Sequence, residues 1–149
     1  MEIPLEKQVE IVRNGMFYWM RESFTALRSY PGGIGKWQHM MHAALTAGYE
    51  KQGAPRNSGP QGFLEHVVAR DLMLGLPAGG EVLSEDKFVY WIQDPFIVLK
   101  EKIGEEDYEQ ISTHGYVKTK LDYFCPGWHA TLAKSCWRGN ERSEWIIEK

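Results

Sequence analysis

The sequence predicts an α+β fold: N-terminal helices packed on a small, mainly antiparallel sheet that ends in a C-terminal β-hairpin. Three observations predict it. Apolar residues recur at steps of three or four along the N-terminal half, which is the helical period. Residues 87–93 are dense in β-branched and aromatic side chains. The last two dozen or so residues read as strand, turn and strand.

The elements follow in order. Leu5, Val9, Val12, Met16, Met20, Phe24 and Leu27 form one stripe, so a helix runs from about residue 4 to 29, where Pro31, Gly32 and Gly33 end it. Trp37, Met41, Ala44 and Leu45 mark a second helix that stops near Gly48 or Gly53. Residues 53–60 are Pro, Gly, Ser and Asn-rich and form a loop whose composition suits a mobile lid. A third helix spans about 61–74, with Phe63, Val67 and Leu74 inward, and residues 75–80 break it. Glu81, Val82 and Leu83 make a short strand. Residues 87–93 carry β-formers on both faces, which predicts a central strand covered on both sides. Asp94 before Pro95 is an N-cap followed by proline at the first helical position, so a short helix should cover 95–103. A further helix covers about 105–124, with a periodicity that blurs around Gly115. Cys125, Pro126 and Gly127 separate it from the hairpin.

The chain has 149 residues and reads as a single domain, residues 1–149. Its net charge of −3 with no basic block argues against nucleic acid as a partner. No apolar run approaches a membrane span, and the N-terminus has no signal-peptide pattern. Cys125 and Cys136 flank a segment read mainly as strand, which separates them by about 30 Å at ~3.3 Å per residue and excludes an intrachain disulfide. Two thiols and no leader predict a cytoplasmic protein. Aromatic residues make up 13% of the chain, enough either to fill a core or to wall a pocket for a ring compound or lipid-like molecule.

Several constellations could carry chemistry. Cys125 and His129 bracket a Pro-Gly turn and could form a nucleophile–base pair, against the simpler reading of a buried thiol and a backbone-bonded imidazole. His39 and His42 share a helix face, and Glu65 and His66 could join them, yet no metal-site spacing is present and no metal is assigned. Asp94 closes the central strand, where its first role is to cap the following helix. His114 lies beside Gly115 and Tyr116 with no decided orientation. Gly32, Gly33 and Gly35 lack the ending of a phosphate loop. No motif names a cofactor.

The ending from Leu132 to Ile147, with Gly139 and Trp145 in its rhythm, resembles the closing hairpin of two groups: the L-2-amino-thiazoline-4-carboxylic acid hydrolase-like family and the 4-vinyl-reductase-like ligand-binding domain. Ser143 stands where those families usually carry cysteine. The hydrolase resemblance implies a small enzyme that opens a compact cyclic substrate at a C–N or C–S bond. His129 is then the candidate base, Cys125 the nucleophile or a pocket wall, and His114 and Asp94 the orienting groups. Tyr90, Trp91, Thr131 and Ser135 would contact the substrate. The second resemblance implies a non-catalytic sensor that binds a small aromatic or lipid-like ligand and reports occupancy through a homodimer interface. Both readings place the site between the His129 face of the hairpin and the helices, with the loop at 53–60 at its entrance.

Overall fold

The computed structural model describes residues 2–93 and 102–149. Helix α1 (Leu5–Arg28) and helix α2 (Gly33–Lys51) form an antiparallel pair joined by a tight turn at Gly32. Gly32 holds a left-handed φ of 69°, which glycine adopts without a Cβ penalty. Phe17, Met20 and Phe24 of α1 meet Trp37 and Met41 of α2, with the Phe24 and Trp37 rings edge to face at 5.1 Å. Helix α3 (Gly59–Phe63) passes through a π-helical segment (Leu64–Val68) into α4 (Ala69–Met73). Helix α5 (Glu105–Glu109) likewise passes through a π-helical segment (Gln110–Val117) into α6 (Lys118–Phe124). The wider π turn shifts the side-chain phase, which is why the helical period blurs around Gly115. A Cβ at Gly115 would overlap the Trp37 ring, so glycine lets α2 approach this segment closely.

The strands are β1 (Ala78–Ser84), β2 (Lys87–Ile92), β3 (His129–Lys134) and β4 (Ser143–Glu148). They form one antiparallel sheet in the order β1-β2-β4-β3. The predicted α+β class and C-terminal hairpin are observed. Between β3 and β4, Cys136–Arg138 form a short 3-10 turn, so the first hairpin strand ends sooner than its sequence suggests. β1 is longer than predicted and runs through Gly79 and Gly80.

Phe88, Tyr90 and Ile92 of β2 and Ser143, Trp145 and Ile147 of β4 point to the helices and are buried. Lys87, Val89 and Trp91 point the other way and stay partly exposed. The expectation that β2 is covered on both sides is therefore corrected. It is central in the sheet, but among the described residues helices cover one face only, as antiparallel sheets allow. The predicted helix at 95–103, and Asp94 with its capping role, fall largely or wholly outside the described residues. No helix among the described residues is long and apolar enough to cross a membrane.

Candidate functional site

The residues expected to converge are dispersed. Cys125 follows α6 and is buried, and burial pushes its thiol up to about 12. A thiol so rarely ionised is a poor nucleophile. His129 begins β3 on the outer face of the sheet, exposed and opposite Glu148. The pair cannot act together, because the thiol lies in the core and the imidazole faces solvent. Ala130 and Leu132, the greasy face of β3, turn toward the helices, while His129 and Thr131 turn outward. The expected cavity on the His129 face, between hairpin and helices, is thus corrected: among the described residues no helical layer lies over that face. His114 is also exposed. Ser135 is buried, and its hydroxyl accepts from the Trp137 amide at 3.2 Å, which starts the 3-10 turn.

The loop at 53–60 is tied down. Tyr123 donates its hydroxyl to the Ala54 carbonyl at 2.7 Å, and the Asn57 amide donates to the Tyr123 carbonyl at 3.0 Å. Arg56 stacks 4.6 Å from the Tyr123 ring centre and pairs with Glu50. These contacts replace the expected mobile lid. Among the described residues no group of His, Cys, Asp and Glu is arranged to hold a metal ion. Cys125 and Cys136 are both reduced and buried.

The structure gathers a different set of residues beneath the sheet. Asp71 of α4 is fully buried and accepts from Tyr90 at 2.6 Å and from Tyr116 at 2.8 Å. Lys120 of α6, also buried, lies 3.4 Å from the same carboxylate and 3.4 Å from the centre of the Tyr116 ring. Tyr49 and Arg70 lie beside this cluster, the guanidinium 4.9 Å from the Tyr49 ring centre. Tyr90, expected to line a substrate pocket, is used here instead. Burial and then the Asp71 charge push the Tyr90 and Tyr116 phenols well above their ordinary range. Burial pulls the Lys120 ammonium down to about 8, with the Asp71 charge opposing. The cluster locks β2, α4 and α6 together. With its groups fully buried it offers a substrate no access, so its work is structural.

This cluster sets a pH dependence. Between about pH 8 and pH 10 the unfolded chain still holds the Lys120 proton that the folded chain has lost, so stability should rise with pH by at most about 1.4 kcal/mol per unit. Above about pH 10 the unfolded tyrosines ionise while Tyr90 and Tyr116 stay protonated, and stability should fall. Urea midpoints measured across this range should show the rise in the native sequence and lose it in Lys120→Met.

Two of the surface clefts among the described residues bear on the site. On the outer sheet face, Trp91, Gln93, Lys134, Asn140, Glu141 and Arg142 surround about 420 Å³. Arg142 stacks 4.7 Å from the Trp91 ring centre and pairs with Glu144 at 2.6 Å. Of the expected substrate contacts, Trp91 alone lines this cleft. The second cleft is mainly apolar and joins the N-terminal part of α1 to the end of α4. Leu5, Glu6, Val9, Glu10, Arg13, Leu72, Met73 and Gly75 line about 500 Å³ of it, and Val12 and Leu74 extend it. Met73 is 75% exposed, Leu5 73%, Val12 65% and Leu72 55%, which is unusual for four large apolar side chains in one place. Arg13 donates to the carbonyls of Leu74 at 3.4 Å and Gly75 at 3.2 Å and so fixes the end of α4 against α1. The stripe on α1 is visible in the sequence, but its N-terminal half belongs to this groove and not to the core.

No family model and no curated protein matches the chain. Among solved structures, the fold is similar to the crystal structure of a trafficking protein particle complex subunit 3 from Naegleria fowleri covalently bound to palmitic acid. The two chains are 16% identical, with a TM-score of 0.57 over 93% of this chain and 95% of that one. The likeness shows a shared fold. It also corrects the expectation of a hydrolase: the chain that shares this fold is a trafficking-complex subunit, and here the candidate base and nucleophile do not meet.

Proposed function

We propose that this chain is a non-catalytic module that binds a small lipid-like molecule in the groove between α1 and α4. The groove itself carries the reading. Its volume of about 500 Å³ lies within the range of small-molecule sites. Its apolar walls are Leu5, Val9, Leu72 and Met73, with Glu6, Glu10 and Arg13 also in the lining, and methionine adapts its shape to flexible apolar ligands. Arg13 uses one nitrogen at the two carbonyls and acts through its charge on Glu10, so it offsets the acidic residues Glu6 and Glu10 that also line the groove. The palmitic acid held by the similar Naegleria fowleri subunit supports the ligand class. Binding here is non-covalent, since both cysteines are buried and the Cys125 thiol is held protonated. The same reading keeps the chain in the cytoplasm. It also gives the exposed apolar residues further along α1, Ile11, Tyr18 and Trp19, to a homodimer interface.

The test is titration with a fluorescent saturated fatty acid below its micelle concentration. Met73→Glu and Val12→Glu put charges on the exposed apolar walls and should each weaken binding at least tenfold, about 1.4 kcal/mol, with the melting temperature unchanged. His129→Ala should leave affinity as it is. Unaltered binding in both groove variants would contradict the assignment.

A further inference from the structure

We propose that two copies of this chain associate by an antiparallel crossing of α1 on α1, with the two-fold axis at Gly15. This geometry rests on the homodimer assignment made above. It is independent of the lipid groove, whose Val9 and Arg13 lie on another side of the same helix. Ile11, Gly15, Tyr18, Trp19 and Glu22 recur at helical steps, and all five are exposed. They lie opposite Phe17, Met20 and Phe24, which α1 buries in the core. An isoleucine and two aromatic rings in one row on the solvent side of a helix mark an interaction surface.

Gly15 sits at the middle of that row. Glycine inside a helix is destabilising relative to alanine, so it needs a reason. Gly33, Gly48, Gly62 and Gly115 have one within the chain, because a Cβ at each would run into another residue. Around Gly15 nothing lies within 4 Å. No contact in its own chain therefore calls for glycine there. The distance between packed helices is set by the side chains at the contact, and a bare backbone lets a second helix come close.

The residues on either side of Gly15 select a second copy as the occupant. In a two-fold interface residue i meets the partner's j, and j meets the partner's i. Ile11 lies four residues before Gly15 and Tyr18 three after it, on the same flank of the row. An antiparallel crossing at Gly15 thus lays each Tyr18 ring on the partner's Ile11, while Trp19 covers the other flank. Lys7 lies eight residues before Gly15 and Glu22 seven after it, so each ammonium arrives beside the partner's Glu22. Within their own chain both are exposed, Lys7 pairing with Glu10 at 2.8 Å and Glu22 with Arg21 at 2.6 Å. An ammonium has three donors and a carboxylate two oxygens, so both can serve a further partner. A parallel crossing would instead set Lys7 against Lys7 and Glu22 against Glu22, which like charge disfavours.

Sedimentation of the full chain and cysteine crosslinking test this together. The native chain should show a reversible monomer–dimer equilibrium. Trp19→Glu and Gly15→Leu should each raise its dissociation constant at least tenfold. Lys7→Glu alone should weaken it, and Lys7→Glu with Glu22→Lys should restore it. Cys125 and Cys136 are buried, so a cysteine placed on α1 is the reactive one. Gly15→Cys should give a disulfide-linked dimer under mild oxidation, because the crossing brings the two Cα atoms within the ~7 Å that a disulfide spans. Glu22→Cys should not, since the antiparallel arrangement holds those positions about 21 Å apart at 1.5 Å per residue. Thermal melts of the variants check that each is folded, and the native chain's own sedimentation needs no variant. A native chain that stays monomeric up to about 1 mM would end the homodimer assignment itself. A native dimer that crosslinks through Glu22→Cys and not through Gly15→Cys would leave that assignment standing and overturn this geometry.

Discussion

Replacing Asp71 by alanine is expected to remove about 3–5 kcal/mol of stability, the cost of breaking a buried ion pair by deleting one partner. The carboxylate serves three donors at once: Tyr90, Tyr116 and Lys120. Without it the ammonium is left in the core with the Tyr116 and Tyr90 rings in place of a carboxylate, and two phenols lose this acceptor. A loss of that size is a large share of the ~5–15 kcal/mol that holds a domain together. Asp71→Asn should recover part of it, because an amide oxygen can still accept from one phenol, while its amino group opposes Lys120. Urea unfolding of the three proteins gives the comparison. An Asp71→Ala midpoint within about 1 kcal/mol of the native one would show that the cluster contributes little.

The second large effect lies in β4. Trp145 is fully buried, stacks on Tyr90 with ring centres 5.6 Å apart, and donates its indole N–H to Thr113 at 2.8 Å. Trp145→Ala should cost about 3–5 kcal/mol for the cavity, with the Thr113 hydroxyl left to find another partner. Truncation after Gly139 should do more. β4 pairs with both β2 and β3, so its removal divides the sheet and strips Ile147 from the core as well. The truncated chain is expected to lose its near-UV circular dichroism and its cooperative melt. A cooperative transition at the full-length temperature would refute this role for the hairpin.

Much of the architecture was legible because it rests on local periodicity. The stripe from Leu5 to Leu27 gave α1 nearly to the residue, and the alternation at Trp145 and Ile147 gave the inward face of β4. The site was less legible, for identifiable reasons. Residues 128–137 show two unlike faces, but the sequence does not say which one the helices cover. The imidazole of His129 suggested a lined cavity, yet an outward-facing row on an open sheet explains it with no cavity at all. Asp71 lies on the same stripe as Val67 and Leu74, and Lys120 stands between Tyr116 and Phe124. Those spacings are signals of buried charge. They were masked because each follows a π-helical segment, where the residue count per turn departs from 3.6. The α1–α4 groove was hidden in plain view: a helical stripe reads as core, yet Leu5 and Val12 in its first half are exposed among the described residues.

The central claim is that the α1–α4 groove, and no site built on His129, is where this protein meets its small-molecule ligand. Amide chemical-shift mapping with a saturated fatty acid, titrated below its micelle concentration, tests it most directly. The account predicts saturable shifts confined to the N-terminal half of α1 and to residues 72–75, with β3 unaffected. Shifts centred on His129, Thr131 and the Trp91 cleft, or no saturable shift at all, would contradict it.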